Sequence, residues 1–256
     1  TRKPNLACEN DAPFKIISPE KKRKRYLYAV KDFRPSVLHG HYTSLIKPLH
    51  LASQAAGVPF TVRGHSFDLL DIEHEKLVEL APYINDSACL GFVTFPFTRP
   101  ILEKAGVKPE KIHGCFPVTD LRPFRNRGPN GDQIMNVGAG IPKKKMEDFI
   151  DLGASMPGRQ FNLYALGYIT NTLQDYNREK GNPIRIVEPV QPRLMPAEYK
   201  KHQWLVYTAC PQKRSVGWPL AVAEAQASGV GVCLQNIRPD LKEYVGGAGV
   251  LFDTLD

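Results

Sequence analysis

The stretch Val216–Gly229, VGWPLAVAEAQASG, runs straight into the apolar segment Val230–Leu234. It reads as a glycine turn, a short helix, a glycine stop and a buried strand. Gly217 lets the backbone turn tightly. Pro219 suits the first helical position, where a missing N–H costs nothing. Ala221, Ala223, Ala225 and Ala227 favour helix, and Gly229 suits a left-handed stop. A helix start after glycine leaves free N–H groups and a partial positive charge, a setting for phosphate. Trp218 and Leu220 lie in that start. Glu224 follows Gly217 by about two turns at 3.6 residues per turn. It is thus expected on the same face, either solvated or accepting hydrogen bonds from a ribose, as the acidic residue of dinucleotide folds does.

Working outward, the same alternation recurs. Towards the N-terminus, strands are expected at Ser36–His41, Phe60–Arg63, Ala88–Thr94 and Lys111–Phe116. Between them fall helical patterns over 43–56, 73–80 and 98–105. Gly57 and Gly106 close two of these. A basic helix is expected over 21–33 and a short strand over Phe14–Ile17. Residues 125–132 lie in RPFRNRGPNGD, the best linker candidate. The pattern then restarts, with strands at Gln133–Val137, Gln160–Leu166, Ile184–Val187 and Trp204–Thr208. Helices are expected over 144–156, 168–180, 196–202 and 240–245. Two runs of strand and helix predict two Rossmann-like parallel-sheet domains, residues 1–124 and 133–256, facing across a cleft.

The chain has 256 residues, 42% of them hydrophobic, enough for one large domain or two small ones. No window approaches the roughly 18 apolar residues of a membrane span, and the first residues carry no signal-peptide core. The five cysteines are scattered and form no CxxC, which favours reduced thiols in the cytoplasm over disulfides or a zinc site. The formal charge is +8, concentrated in part at Lys21–Arg25, KKRKR. That run reads as a solvated helix start or as a contact for an anionic membrane surface. No nucleic-acid motif accompanies it, so nucleic acid ranks lowest.

Four clusters fall at strand-to-helix turns, where α/β proteins place their sites. His39 and His41 share one side of a strand. Gly64-His65-Ser66 follows the next strand. Gly138-Ala139-Gly140 precedes Lys143, Lys144 and Lys145, and Lys213-Arg214 precedes the alanine-rich helix. Cations at a helix start oppose its dipole by about 0.3–1 kcal/mol each, which points to a bound anion there. The three histidines lack a carboxylate or cysteine to complete a metal set. Gly138–Gly140 lacks the ending of a Walker loop. Neither Ser66 nor Ser228 sits in a nucleophile elbow.

The segments MNVGAGIPKKK (135–145) and VGWPLAVAEAQASGVGV (216–232) together resemble the C-terminal half of family 4 glycosyltransferases, retaining enzymes of GT-B fold. RPSVLHGHY (34–42), TVRGHSFDL (61–69), HGCFPVTDLRPF (113–124) and KEYVGGAGVLFD (242–253) resemble further family segments in the family's order. The resemblance covers roughly residues 34–253. It implies an acceptor-side domain without its first strand and glycine loop, and a nucleotide-sugar domain without its last helices.

What the resemblance implies about chemistry is specific. Glu224 would bind the ribose of a nucleoside-diphosphate sugar. Gly138, Lys144, Lys213, Arg214 and the N–H groups of Gly217, Trp218, Pro219's neighbours and Leu220 would hold the diphosphate. His65 and Lys144 would be catalytic, with His39, His41 and Ser66 on the acceptor side. No metal or other cofactor is required. The acceptor would be a glycan or a lipid-linked glycan, in surface polysaccharide synthesis on the inner face of the membrane. The sequence departs from the family pattern in three places: the family's NGVD is represented only by Val118-Thr119-Asp120, Val216 stands where the family has a glutamate, and Ala139 where it has an arginine. Lys143, Lys145, Lys213 and Arg214 are candidates to fill that gap. A catalytically degenerate protein that binds a nucleotide sugar, glycan or partner is the alternative.

Overall fold

A computed structural model describes residues 30–213 and 215–255 of the chain. The basic run Lys21–Arg25, the strand expected at Phe14–Ile17 and the side chain of Arg214 lie outside the described residues.

Two parallel sheets build the molecule. The first holds β1 (Leu38–His41), β2 (Phe60–Arg63), β3 (Cys89–Thr94) and β4 (Ile112–Gly114) in the order β1-β2-β3-β4. Its helices are α1 (Ile46–Ala56), α2 (Phe67–Leu70), α3 (His74–Asn85) and α4 (Arg99–Lys104). The second sheet holds β5 (Gln133–Ala139), β6 (Phe161–Leu166), β7 (Arg185–Ile186), β8 (His202–Tyr207), β9 (Gly231–Gln235) and β10 (Gly249–Phe252). Its order is β10-β9-β8-β5-β6-β7. The switch point between β5 and β8 is where open α/β sheets leave a crevice. Its helices are α5 (Met146–Ser155), α6 (Thr170–Glu179), α7 (Met195–Tyr199), α8 (Leu220–Ala227) and α9 (Leu241–Val245). The two parallel-sheet α/β units match the expected GT-B-type arrangement.

Each sheet has its own apolar filling. Ile46, Leu49, Phe60, Val62, Leu77, Ile84 and Phe92 are buried in the first unit. Phe149, Ile150, Phe161, Leu163 and Leu173 fill one face of the second sheet. Leu205, Tyr207, Val222, Ala225 and Val232 fill the other.

Several local expectations are revised. Pro219 is not the first helical residue of α8 but its N-cap, with extended ψ of 130°. Gly217 has no left-handed backbone; it is small because a Cβ there would lie 3.0 Å from Ser66 Cβ and 3.1 Å from Phe95. α3 runs on through Pro82 to Asn85, since Leu80, Ala81 and Ile84 continue its buried face. The helix expected from Lys144 starts only at Met146, after a 3₁₀ turn and a left-handed Lys145. Its first turn carries Glu147 and Asp148, and Lys145 pairs with Asp148 at 3.0 Å. The helix's own acids therefore relieve the charge conflict read from the three lysines. His202 opens β8 and does not close a helix. Gly57, Gly106 and Gly229 are left-handed, as expected of helix stops.

Residues 125–132 run between β4 and β5. The Lys200 ammonium gathers this segment by donating to the carbonyls of Asn126 and Gly128 and to Asn130 Oδ1. It also donates to Ser228 O, at the end of α8.

An aromatic seam joins the two units. Phe95, Phe97 and Phe116 of the first pack on Trp218 of the second, with ring centroids 4.7–5.8 Å apart. Trp218 stacks on Tyr244 at 4.8 Å and donates its Nε1–H to Asp240 Oδ2 at 2.8 Å. Asp240 also accepts from Arg238 Nε and Nη2, and Arg238 lies over Phe97 at 4.4 Å. Removing one member of a buried ion pair strands the other, at about 3–5 kcal/mol. Asp240→Ala is expected to lose about 3 kcal/mol of stability, read as a fall in the urea midpoint.

Candidate functional site

The carboxyl ends of both sheets face one cavity of about 590 Å³. Its first wall carries His39, His41, Arg63, His65, Ser66, Val93 and Phe95. Its second wall carries Lys143, Lys144, Tyr207 and the Val216–Leu220 turn before α8. Cavities of this size suit small-molecule ligands. No Asp or Glu is among the described lining residues.

On the first wall, the strand period brings His39 and His41 to one side of β1, with ring centroids 5.0 Å apart. His41 stacks on His65 at 5.1 Å, and His41 Nδ1 lies 2.9 Å from His65 Nε2. One ring must donate and the other accept. His39 Nδ1 is 2.7 Å from Thr61 Oγ1. The loops after β1 and β2 are pinned by one carboxylate: Asp68 accepts from Thr43 N–H and His65 N–H, both at 2.7 Å. Asp68 is buried, and burial raises its pKa while these hydrogen bonds oppose the rise. The pinning holds Tyr42 at a left-handed φ of 77°, with its ring 4.6 Å from that of His65.

The pKa values of His39 and His65 are lowered, first by burial and then by the charges of His41 and Arg63. Among the described residues no group of three or more His, Cys, Asp or Glu is placed to hold a metal ion. The histidine trio is assembled, but two of its ring nitrogens already face each other.

On the second wall, Lys144 folds its side chain over the glycine turn at the end of β5. A Cβ at Gly138 would collide with Lys144 Nζ. The ammonium also lies over the Tyr207 ring at 4.9 Å. Burial, and then the charge of Lys143, lowers its pKa to about 8. No carboxylate pairs with it among the described residues. Lys143 Nζ donates to Ser215 O at 3.1 Å and lies over Phe67, across the cleft, at 5.7 Å. Val216 is a buried core residue, 6% exposed.

Beyond the contact of Gly138 with Lys144 opens a second cavity of about 340 Å³. It is mostly apolar, walled by Val137, Ala139, Leu166, Val187, Val190 and Met195, with Glu224 at one side. Glu224 therefore serves this cavity and not the one at the Gly217 turn, although both lie on the α8 side. Tyr199 O–H donates to Glu224 Oε2 at 2.8 Å. Burial raises the pKa of Glu224, and the Tyr199 hydrogen bond opposes the rise.

The remaining expected residues are placed as follows. Trp218 touches the cavity but is only 3% exposed, its ring committed to the seam. Lys213 is exposed and lines neither cavity. Lys145 is committed to Asp148, so Lys143 is the described lysine placed to supplement Lys144. Sequence reasoning missed Arg63 and Tyr207. Arg63 ends a strand inside TVRGHSF, one turn residue before His65, and that position was its only signal.

No protein-family model and no curated protein matches this sequence. Solved structures do match the fold. HepE from Anabaena, solved with UDP-glucose, is 13% identical, with a TM-score of 0.71 over 91% of this chain and 68% of that one. A glycosyltransferase from Rickettsia africae is 13% identical, with a TM-score of 0.68 over 95% and 71%. WaaB, a lipopolysaccharide outer core galactosyltransferase, is 15% identical, with a TM-score of 0.59 over 90% and 65%. At these identities the likeness defines the fold: two parallel-sheet units of GT-B type. The chain spans about two thirds of the length of HepE.

His39 and His65 take up protons at lower pH than a free imidazole, whose pKa is 6.5. Both are neutral at pH 7 in the folded protein. The folded-state penalty for protonating them is absent above pH 6.5 and grows as pH falls below it. Their ring signals in NMR are expected to titrate below 6.5, and Arg63→Ala, by removing a positive neighbour, is expected to move both upward.

Proposed function

We propose that the chain is a retaining glycosyltransferase that uses a nucleoside-diphosphate sugar. The observation that carries this reading is the partly desolvated Lys144 ammonium. It has no carboxylate partner among the described residues, and it stands between a mostly apolar cavity bordered by Glu188 and Glu224 and a cationic cleft. A diphosphate supplies the missing counter-charge there. The apolar cavity takes the base and ribose, with Glu224 accepting from ribose hydroxyls. HepE has been solved with UDP and with UDP-glucose, which makes UDP the first donor to test.

In this reading Lys144, Lys143 and the N–H groups of the Gly217–Leu220 turn stabilise the leaving diphosphate, and no metal is needed. Among the described residues the lining of the cleft holds no carboxylate to act as nucleophile or base. The leaving phosphate then takes the acceptor's proton, while His65 orients the acceptor. A glycan or lipid-linked acceptor, a role in surface polysaccharide synthesis and a peripheral position on the inner membrane face complete the proposal. No helix among the described residues is long and apolar enough to cross a membrane.

A second reading, binding without turnover, is favoured by Val216 and Ala139. The first is buried and uncharged, and the second brings no cation to the phosphate turn. Donor hydrolysis or sugar transfer that disappears in Glu224→Ala excludes it.

The experiment is a calorimetric titration with UDP, GDP, ADP and their sugars. One diphosphate is expected to bind, and Glu224→Ala to abolish binding; no binding of any overturns the proposal. Lys144→Ala is expected to lower kcat by about 10²–10³. Because the ammonium is charged below its pKa of about 8, the Kd for the diphosphate is expected to rise as pH passes above that value. Lys144→Arg, whose guanidinium stays charged, is expected to flatten this dependence.

A further inference from the structure

Arg63 is the last residue of β2, on the wall opposite Lys144. Its guanidinium lies over the Phe95 ring of the first unit at 4.9 Å. Among the described residues its side chain meets no carboxylate and no carbonyl. A guanidinium carries five N–H donors in a rigid fork. The half-buried fork is thus left without an oxygen among the described residues, in a cavity whose described lining has no Asp or Glu. His39 and His65 stand in its field, and that field helps keep both imidazoles neutral. Neutral imidazoles beside a cation can still donate a hydrogen bond each. A half-buried fork and an uncompensated charge together favour an anion.

Lys143 and Lys144 face this group from the second unit, where the donor diphosphate is placed above. Arg63 belongs to the other wall, and a fork matches phosphate or carboxylate through two parallel hydrogen bonds. We propose that Arg63, with His39 and His65, forms a second anion site that holds a phosphate or carboxylate carried by the acceptor. The anion site stands on this geometry alone; its assignment to the acceptor rests on the donor reading. The acceptor is then an anionic sugar or a sugar phosphate, and neutral sugars are poor acceptors.

The test uses the full chain saturated with UDP and titrated with inorganic phosphate in one arm and glucuronate in the other. Binding is followed by calorimetry and by the ring signals of His39 and His65. Phosphate, glucuronate or both are expected to bind the UDP-loaded protein, and the tighter one names the group. Arg63→Gln is expected to weaken that binding by about tenfold or more, while changing the Kd for UDP by less than about twofold. Arg63→Lys, which keeps the charge but loses the fork, is expected to fall between them. Three results overturn the proposal: neither anion binds, Arg63→Gln binds as wild type does, or Arg63→Gln weakens UDP by about tenfold, which would return Arg63 to the donor. If UDP itself fails to bind, the donor reading falls. The same anion titration on the unloaded chain then decides the site, with loss in Arg63→Gln supporting it and no difference overturning it.

Discussion

The hydrogen bond from Trp218 to Asp240 sets the geometry on which the cleft depends. Asp240 is shared between the indole and the Arg238 guanidinium, and Arg238 in turn donates to Val216 O and covers Phe97. One carboxylate thereby orients the turn before α8, the ring that meets the first unit and the cation that caps it. Each such aromatic contact adds about 0.5–1.5 kcal/mol beyond area burial. The separation of the two walls follows from this cluster, and with it the distance between Lys144 and the histidines. At Gly217 the units approach so closely that the absence of a side chain keeps Ser66 and Phe95 in place.

The same architecture concentrates charge where it costs stability. Lys144 is largely desolvated, its ammonium is held to a pKa of about 8, and Lys143 repels it. Asp68 is buried to align two loops, and its carboxyl is pushed up for that reason. Tyr42 is held at a positive φ between them. Strained or desolvated groups cluster at sites because the surrounding fold over-determines them. Here the aromatic seam and the two sheet cores supply that surplus.

Much of the architecture was legible in the sequence because its signals are local. The strand and helix alternation, the left-handed stops at Gly57, Gly106 and Gly229, and the shared face of His39 and His41 are all set within a few residues. The missed features are not local. α2 is only four residues long, too short for a helical period to register. β10 lies in KEYVGGAGVLFD, where three glycines obscure a strand that exists because β9 pairs with it. Gly217 was read as a turn residue, although Ser66 and Phe95, distant in sequence, explain it. Glu224 was expected beside Gly217 by helical spacing. The cavities divide at Gly138 and Lys144, a boundary that no single helix encodes. Lys143 and Lys145 looked equivalent in sequence, yet Asp148 takes one and the cleft takes the other.

The chain has two tryptophans, Trp204 and Trp218. Trp204 is partly exposed on β8, whereas Trp218 is buried among Phe95, Phe97, Phe116 and Tyr244, where the two units touch. Parting the two units would strip Phe95, Phe97 and Phe116 from this indole and leave its stack on Tyr244. The molecule thus carries its own fluorophore at the contact between its units. With Trp204 replaced by Phe, a red shift in emission would report loss of that contact without a label.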